Sequence, residues 1–332
     1  MHLSIVIPTF NRARLLPRTL PALLEQRTAA DVSYEIIFVS NGSSDESSAI
    51  LKKVAEENAE KVRFFYIDPT GGPAAPRNRG LREATGDAVI ILDDDVLPDA
   101  DLVQRYAEFH QAHPEPHHAA LGEAYVPEAL LAHPMSMFHT FPYDEVRGLD
   151  RLGYEHFWTC NVSVKREFML ECGMFDEDFL YYEDILCGHR LTRNGMHLHF
   201  LPAARGQHLH ELEPSAIPRK GHLTGFWLYP FVERIPETKV KKRFGILSPD
   251  IGAGLLAKRW LRRLGFRIVD NPLTHALLKG LGAGGSRRTR LSDFYYFLIF
   301  RRHLLAGYAD AKRRAVVARR AGVEPRWKDR AL

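Results

Sequence analysis

The stretch Asp87-Ala88-Val89-Ile90-Ile91-Leu92-Asp93-Asp94-Asp95 limits the folds open to this chain more than any other. Val89 to Leu92 is a continuous apolar run, which suits a strand buried on both faces. Three adjacent carboxylates cannot share that core, because unpaired buried charge is too costly. They must emerge at the strand's C-terminal end, where open α/β sheets bind ligands. Acids crowded together there repel one another unless a cation joins them. A hard divalent ion such as Mg2+ or Mn2+, holding a diphosphate, meets that need. A solvated acidic loop is the other reading of the triplet taken alone.

The chain before the triplet alternates strand and helix. Leu3–Ile7 reads as a strand closed by Pro8, and Arg12–Gln26 as a helix with a leucine stripe. Tyr34–Val39 is a second strand. Ser43 with Glu46 three residues later has the spacing of a capping box, opening a helix through Ile50, Leu51 and Val54. Val62–Ile67 is a third strand, and the Gly/Pro loop 70–76 leads to a short helix near Arg77–Ala84. The opening strand is the fourth, and Pro98–His110 is again helical. This order predicts an α/β fold, a Rossmann-like, mostly parallel sheet flanked by helices. Asn11, Asn41 and Asp93 to Asp95 close successive strands, as a nucleotide crossing several strand ends requires. GxGxxG occurs only at Gly280-Leu281-Gly282-Ala283-Gly284-Gly285, far from the first strand, and GxxxxGK[ST] does not occur, which disfavours a dinucleotide fold or a P-loop NTPase.

Ser4-Ile5-Val6-Ile7-Pro8-Thr9-Phe10-Asn11-Arg12 and Val39-Ser40-Asn41-Gly42-Ser43-Ser44-Asp45 resemble the opening of family 2 glycosyltransferases with the GT-A fold. Pro73-Ala74-Ala75-Pro76-Arg77-Asn78-Arg79-Gly80, Ile91 to Asp95, Thr159-Cys160-Asn161-Val162-Ser163, Gly173 to Glu177 and Tyr182-Glu183-Asp184 continue the resemblance in order. It covers residues 3 to about 210 and does not specify the sugar.

The resemblance implies a role for each matching position. Pro8, Thr9, Asn11 and Arg12 would lie at the nucleotide. Asn41 stands where the family usually has an Asp that accepts from N3–H of uracil or thymine, and an Asn oxygen can still accept. Arg77 and Asn78 would sit near the ribose and diphosphate. Asp93 would lie near the ribose, Asp95 on Mn2+ or Mg2+, and Asp94 could take either part. Asp184 would be the base that deprotonates the acceptor in an inverting transfer, with Glu183 in reserve. Acids at a helix start are also favoured by the helix dipole alone.

Arg190 and Arg193 could face the leaving diphosphate or simply be solvated. His208 fits a third metal ligand or diphosphate contact, and His210 would share its strand face. Trp158, beside Asn161, could stack on a sugar or belong to the core. Residues 127–154, rich in His, Met, Phe and Tyr, are expected to form a loop over the site that helps choose the acceptor.

The resemblance fades near residue 215, so a catalytic domain over 1–215 and a basic, aromatic, mainly helical region over 216–332 are expected. Residues 241–332 carry 22 Lys+Arg against 6 Asp+Glu, while residues 1–240 carry 23 against 35. Such a tail suits packing on the catalytic domain or a homo-oligomer partner, or an anionic membrane surface or lipid phosphate. No nucleic-acid motif accompanies it. Three cysteines without zinc-finger spacing point to a reducing compartment. With no signal peptide or apolar run long enough to span a bilayer, a cytoplasmic protein is expected, with the inner membrane face as the tail's place.

The reading is therefore a metal-dependent inverting glycosyltransferase. Its donor would be a nucleoside-diphosphate sugar, UDP or dTDP favoured, and its acceptor a saccharide or lipid-linked hydroxyl. A sugar-nucleotide nucleotidyltransferase is disfavoured because Pro8-Thr9-Phe10-Asn11 replaces the Gly-rich basic loop such enzymes carry after the first strand. A non-catalytic scaffold of the same fold is the third reading.

Overall fold

The computed structural model describes residues 1–138, 140–209, 213–246, 252–285, 287–325 and 327–328. Its strands are β1 (His2–Thr9), β2 (Ser33–Asn41), β3 (Val62–Ile67), β4 (Ala88–Leu92), β5 (Val96–Pro98), β6 (His118–Tyr125), β7 (Asn161–Lys165) and β8 (His197–His208). Its α-helices run in order α1 (Leu16–Leu24), α2 (Ser47–Glu57), α3 (Ala74–Glu83), α4 (Leu102–Ala112), α5 (Glu128–Leu131) and α6 (Arg166–Glu171). Then come α7 (Glu183–Arg193), α8 (Ile217–Arg234), α9 (Thr238–Arg243), α10 (Ala253–Val269), α11 (Pro272–Gly280) and α12 (Arg290–Arg320).

The chain forms two compact units. One comprises Met1–Pro127 and His139–His210, and the other Glu128–Phe138 and Glu211–Ala331. The segment 128–138, part of the expected loop over the site, packs within the second unit, where Met135 meets Ile217 and Tyr296.

The first unit is built on one eight-stranded sheet in the order β3-β2-β1-β4-β7-β6-β8-β5. Strands β3, β2, β1 and β4 are parallel, as the helical crossovers between them require. β7 runs antiparallel to β4 and β6, and β8 lies parallel to β6. Every residue of β4 is fully buried, so the apolar run is a central strand. The three acids leave the sheet at its C-terminal end. Immediately after them, β5 pairs antiparallel with the end of β8, with Val96 opposite His208. That short ladder carries His208 to the acids.

Some boundaries differ from expectation for physical reasons. The first helix starts at Leu16 and not Arg12, because Arg12 to Leu15 form a turn that releases the Arg12 side chain. The fourth helix starts at Leu102, since Val96–Pro98 is used in β5. The Ser43 capping box is not formed. The helix begins at Ser47, and Ser43 Oγ accepts from Asn11 N at 3.1 Å instead, fastening the loops after β1 and β2 together.

In the second unit, α8 and α12 cross at backbone distance. A Cβ at Gly225 would overlap Leu304 O, and one at Gly307 would overlap His222 O. In the first unit Gly80 presses α3 onto β1, where a Cβ would overlap Val6 Cγ1. Helix propensity alone makes Gly→Ala favourable by about 1 kcal/mol. The overlap should reverse the sign, so Gly80→Ala is expected to destabilise by roughly 1–3 kcal/mol in chemical denaturation. A stabilised variant would show that α3 is not so tightly seated.

Candidate active site

The acids at the end of β4 meet two arginines, each bridging a pair of carboxylates. Arg77, on the first turns of α3 and almost fully buried, donates to Asp93 Oδ1 at 2.9 Å and to Glu183 Oε1 at 2.7 Å. Arg12 donates from Nε to Asp94 Oδ1 at 2.9 Å and from a terminal nitrogen to Asp95 Oδ2 at 3.0 Å. His208 Nε2 lies 3.4 Å from Asp95 Oδ1. Glu183 and Asp184 open α7, whose preceding residue Tyr182 has a left-handed backbone at φ 66°. A bulky residue rarely adopts that conformation, and such strain collects at functional turns. Here it aims the two acids at the end of β4.

Five carboxylates, Asp93, Asp94, Asp95, Glu183 and Asp184, thus share two guanidinium groups and one imidazole. The imbalance shows in their protonation. Burial raises Glu183 and Asp94 to about 7 and Asp184 to about 6. The charges of Asp184, Asp95 and Asp93 add to the shifts of Glu183, Asp94 and Asp184 respectively, and the arginines offset only part of it. Burial and Asp95 likewise raise Asp93, against Arg77 and His208. Burial alone would lower the two arginines, but Asp94 and Asp95 raise Arg12, and Asp93 and Glu183 raise Arg77.

This donor set fits a divalent cation. Carboxylate oxygens from Asp93 to Asp95 with the His208 imidazole suit Mn2+ or Mg2+, and the surplus negative charge supplies the attraction. Arg12 already spans Asp94 and Asp95, so an ion on Asp95 would share that carboxylate with it.

The two acids of α7 are not equivalent. Glu183 is buried and committed to Arg77. Asp184 is half-buried, and its Oδ1 accepts from the neighbouring Ile185 N at 2.8 Å.

The loops after β1 and β2 form the other wall. Thr9 is buried at the end of β1, and Pro8 pairs with Val39 in the parallel ladder. Asn11 is left-handed at φ 53°, and its Oδ1 accepts from Ser44 N at 2.8 Å. Asn41 ends β2. Its Oδ1 accepts from Thr70 N and Thr70 Oγ1, both at 3.0 Å, and its Nδ2 donates to Gly72 O. Thr70 Oγ1 also reaches Gly72 O at 3.3 Å, so one lone pair of Asn41 can be released without stranding the hydroxyl.

Several expected site residues have their polar groups or rings engaged by other parts of the fold. Asn78 exchanges hydrogen bonds with the backbone of Phe175 and donates to Glu177 Oε1, so its amide clamps α3 to the segment before α7 and is not available to a ribose. Asn161 is fully buried and bonds Tyr106 Oη and Ala204 O, tying β7 to α4 and β8. Trp158 is 5% exposed, packs on Phe141 and Tyr143, and donates to Glu155 O, so it belongs to the core and offers no sugar platform. Arg190 lies against Cys187 and Gly173 on the second half of α7, and Arg193 is exposed at that helix's end. Neither contacts the acid cluster. His210 lies outside the described residues. The bridges made by Arg12 and Arg77, and the Thr70 contact to Asn41, had no local signal, since each joins residues far apart in sequence.

Comparison with known proteins now bears on the site. Residues 4–165 match the family described as "Glycosyl transferase family 2". Through these residues, just under half of its length, the chain is similar to that family. Validoxylamine A glucosyltransferase of Streptomyces hygroscopicus subsp. jinggangensis is 31% identical over 225 residues, covering 58% of this chain and 52% of that protein. Chondroitin synthase of Pasteurella multocida is 29% identical over 247 residues, covering 62% of this chain and 24% of the synthase. The chain therefore spans about half the length of the first relative and a quarter of the second.

Among solved structures, the Pyrobaculum calidifontis mannosyltransferase PcManGT, determined with GDP-Man and Mn2+, superposes with a TM-score of 0.59 at 16% identity, over 92% of this chain and 86% of that one. TarS 1–349 of S. aureus gives 0.53 at 15% identity, over 97% and 92%. The fold is GT-A. All the acids of the site except Glu183 and Asp184 lie within the matched residues.

Groups whose carboxyl pKa is raised by folding bind more protons in the native state. Between about pH 4 and 7, stability must then fall as pH rises through this cluster. The melting temperature of the metal-free protein should drop across that window. Mn2+ should restore more at about pH 7.5 than at about pH 5, because ligating carboxylates must be deprotonated. Asp95→Ala should remove the Mn2+ response, and a response of equal size in that variant would exclude Asp95 as a ligand.

Proposed function

We propose that this chain is a metal-dependent inverting glycosyltransferase. It would move a sugar from a nucleoside-diphosphate sugar to an acceptor hydroxyl during glycan or polysaccharide assembly. The observation that carries the reading is Asp184, half-buried at the strained start of α7. It lies outside the Arg77 bridge and has its pKa raised to about 6. A carboxylate so tuned is deprotonated at neutral pH yet basic enough to take the acceptor proton as its oxygen attacks the anomeric carbon.

The remaining residues divide the work. Arg77 neutralises Glu183 and Asp93 and thereby holds α7 against the end of β4. Arg12, Asp94, Asp95 and His208 form the diphosphate side. A divalent ion held by Asp95 and His208, with Asp93 or Asp94, would neutralise charge on the leaving diphosphate. Thr9, Asn11 and Asn41 form the nucleoside wall. An Asn41 lone pair released by Thr70 would accept from N3–H of a pyrimidine, which favours UDP or dTDP. No observation favours nucleotidyl transfer, and the similarity to family 2 together with the paired acids favours an enzyme over a scaffold.

The second unit suits an anionic surface. Among the described residues no helix is long and apolar enough to cross a membrane. Yet α10 exposes Trp260, Leu261, Leu264 and Ile268, and α11 exposes Leu273 and Leu277. A cavity of about 570 Å3 beside α10 is lined by Arg243, Arg259, Arg262, Arg263, Arg301 and Lys312. Burial lowers both Arg263 and Arg301, and neighbouring arginines add to it, against Tyr308 at Arg263 and Asp270 at Arg301. Exposed apolar faces beside clustered cations fit an interfacial membrane contact, at the inner face of the membrane if the protein is cytoplasmic, or a lipid-linked phosphate acceptor.

Three measurements test the proposal. Asp184→Asn should lose about 100-fold or more in transfer while melting as a folded protein; near-normal transfer would remove Asp184 as the base. A thermal-shift panel of UDP-, dTDP- and GDP-sugars with Mn2+ should select a pyrimidine donor, and stabilisation by GDP-sugars alone would overturn the role given to Asn41. Vesicles containing anionic lipid should sediment the full chain in low salt and release it in high salt, with Leu273→Glu/Leu277→Glu weakening capture. A variant captured as well as wild type, or a self-associated chain indifferent to lipid, would turn the reading to a homo-oligomer contact.

A further inference from the structure

A second group of metal-ligating side chains lies at the other end of the sheet. The chain has 16 histidines, and five of them, His113, His117, His118, His197 and His199, come together. Their convergence follows from register. Side chains at i and i+2 of a strand share a face, so His197 and His199 lie side by side at the start of β8. Parallel pairing places His118 opposite His197. His113, just past the end of α4, closes the group, with its ring 5.0 Å from that of His118 and 4.9 Å from that of His199. The cluster marks the N-terminal end of β8, whereas His208 marks the C-terminal end. The paired β6 strand spans that length from His118, opposite His197, to Tyr125, opposite Gln207, so the two ends are roughly 25 Å apart.

The geometry points to a transition-metal site at His113, His118 and His199, for a borderline divalent ion of the Zn2+, Co2+ or Ni2+ class. One ring nitrogen from each lies within 4.8 Å of the others, and all three residues are half-buried, so an ion can enter. His113 Nδ1 is 2.9 Å from Phe109 O, which fixes the proton on Nδ1 and leaves Nε2 with its lone pair. A ligating imidazole is commonly oriented by such a contact on its other nitrogen. His118 Nδ1 faces His199 Nε2 at 2.8 Å, while His118 Nε2 lies 3.7 Å from Glu115 Oε2, a carboxylate placed as an outer partner. The ring of His199 stacks on that of His197 at 4.3 Å, which holds its plane.

Three imidazoles without a carboxylate among them select against Mg2+ and for the zinc class. The bound ion would join the α4–β6 connection to β8 far from the proposed chemistry, and its role would be to hold the sheet edge.

The test uses the full chain in excess Mg2+, which occupies oxygen-rich sites and leaves imidazole sites open. Zn2+ added at about one equivalent should raise the melting temperature. Co2+ should give the intense absorption of a nitrogen-rich, four-coordinate ion. His118→Ala and His199→Ala should each weaken Zn2+ binding by about tenfold or more and leave transferase activity unchanged. His222→Ala, in the other unit, should bind as wild type. An absent thermal shift, a weak octahedral Co2+ spectrum in the wild type, or equal Zn2+ affinity in the His118 and His199 variants would each overturn the site. The wild-type cobalt spectrum keeps the test decisive even if a variant fails to fold.

Discussion

Arg77 is the interaction on which the rest of the site depends. Its guanidinium is buried between Asp93, at the end of β4, and Glu183, 106 residues beyond Arg77 itself. Removing one member of a buried pair strands the other charges and typically costs several kcal/mol. The surroundings are arranged to keep it in place. Gly80 lets α3 lie directly on β1, and Asn78 clamps the next residue of the helix to Phe175. The ring of Phe175 in turn covers the Arg77 guanidinium at 5.6 Å. The two halves of the site, the acid triplet and the start of α7, meet because this one cation is shared between them.

The arrangement is deliberately short of positive charge. Two arginines and a histidine face five carboxylates, and folding raises the pKa of four of them, Asp93, Asp94, Glu183 and Asp184. A site built only for stability would pair these acids or replace them with apolar groups. The deficit instead leaves room for a cation. It also raises Asp184 to about 6, the range the base of the proposed reaction needs, so one electrostatic feature would serve both its diphosphate side and its acceptor side.

Much of this was legible in the sequence where a single element carried the signal. The buried β4 run with acids at its end, the parallel order of the first four strands and the acids opening α7 all follow from local pattern. Residues whose partners lie elsewhere in the fold were less legible. Ser43 had the spacing of a helix cap but bonds the β1 loop. Asn161 and Asn78 occupy motif positions, yet their amides satisfy buried groups on other elements. Trp158 could be core or platform from sequence, and only the packing of Phe141 and Tyr143 decides for core. Amides and aromatic rings serve folding and binding with the same atoms, so their role is fixed by tertiary neighbours and not by spacing.

The charge deficit at the end of β4 makes a direct demand of metal binding. If burial and mutual repulsion hold protons on this cluster at neutral pH, an arriving divalent ion must expel them. Calorimetric titration of Mn2+ into the protein at about pH 7, repeated in buffers of different ionisation enthalpy, counts those protons. Release of a substantial fraction of a proton per Mn2+, falling toward zero by about pH 9, is the result this account predicts. Mn2+ binding with no proton release at about pH 7, or no Mn2+ binding at all, would contradict it.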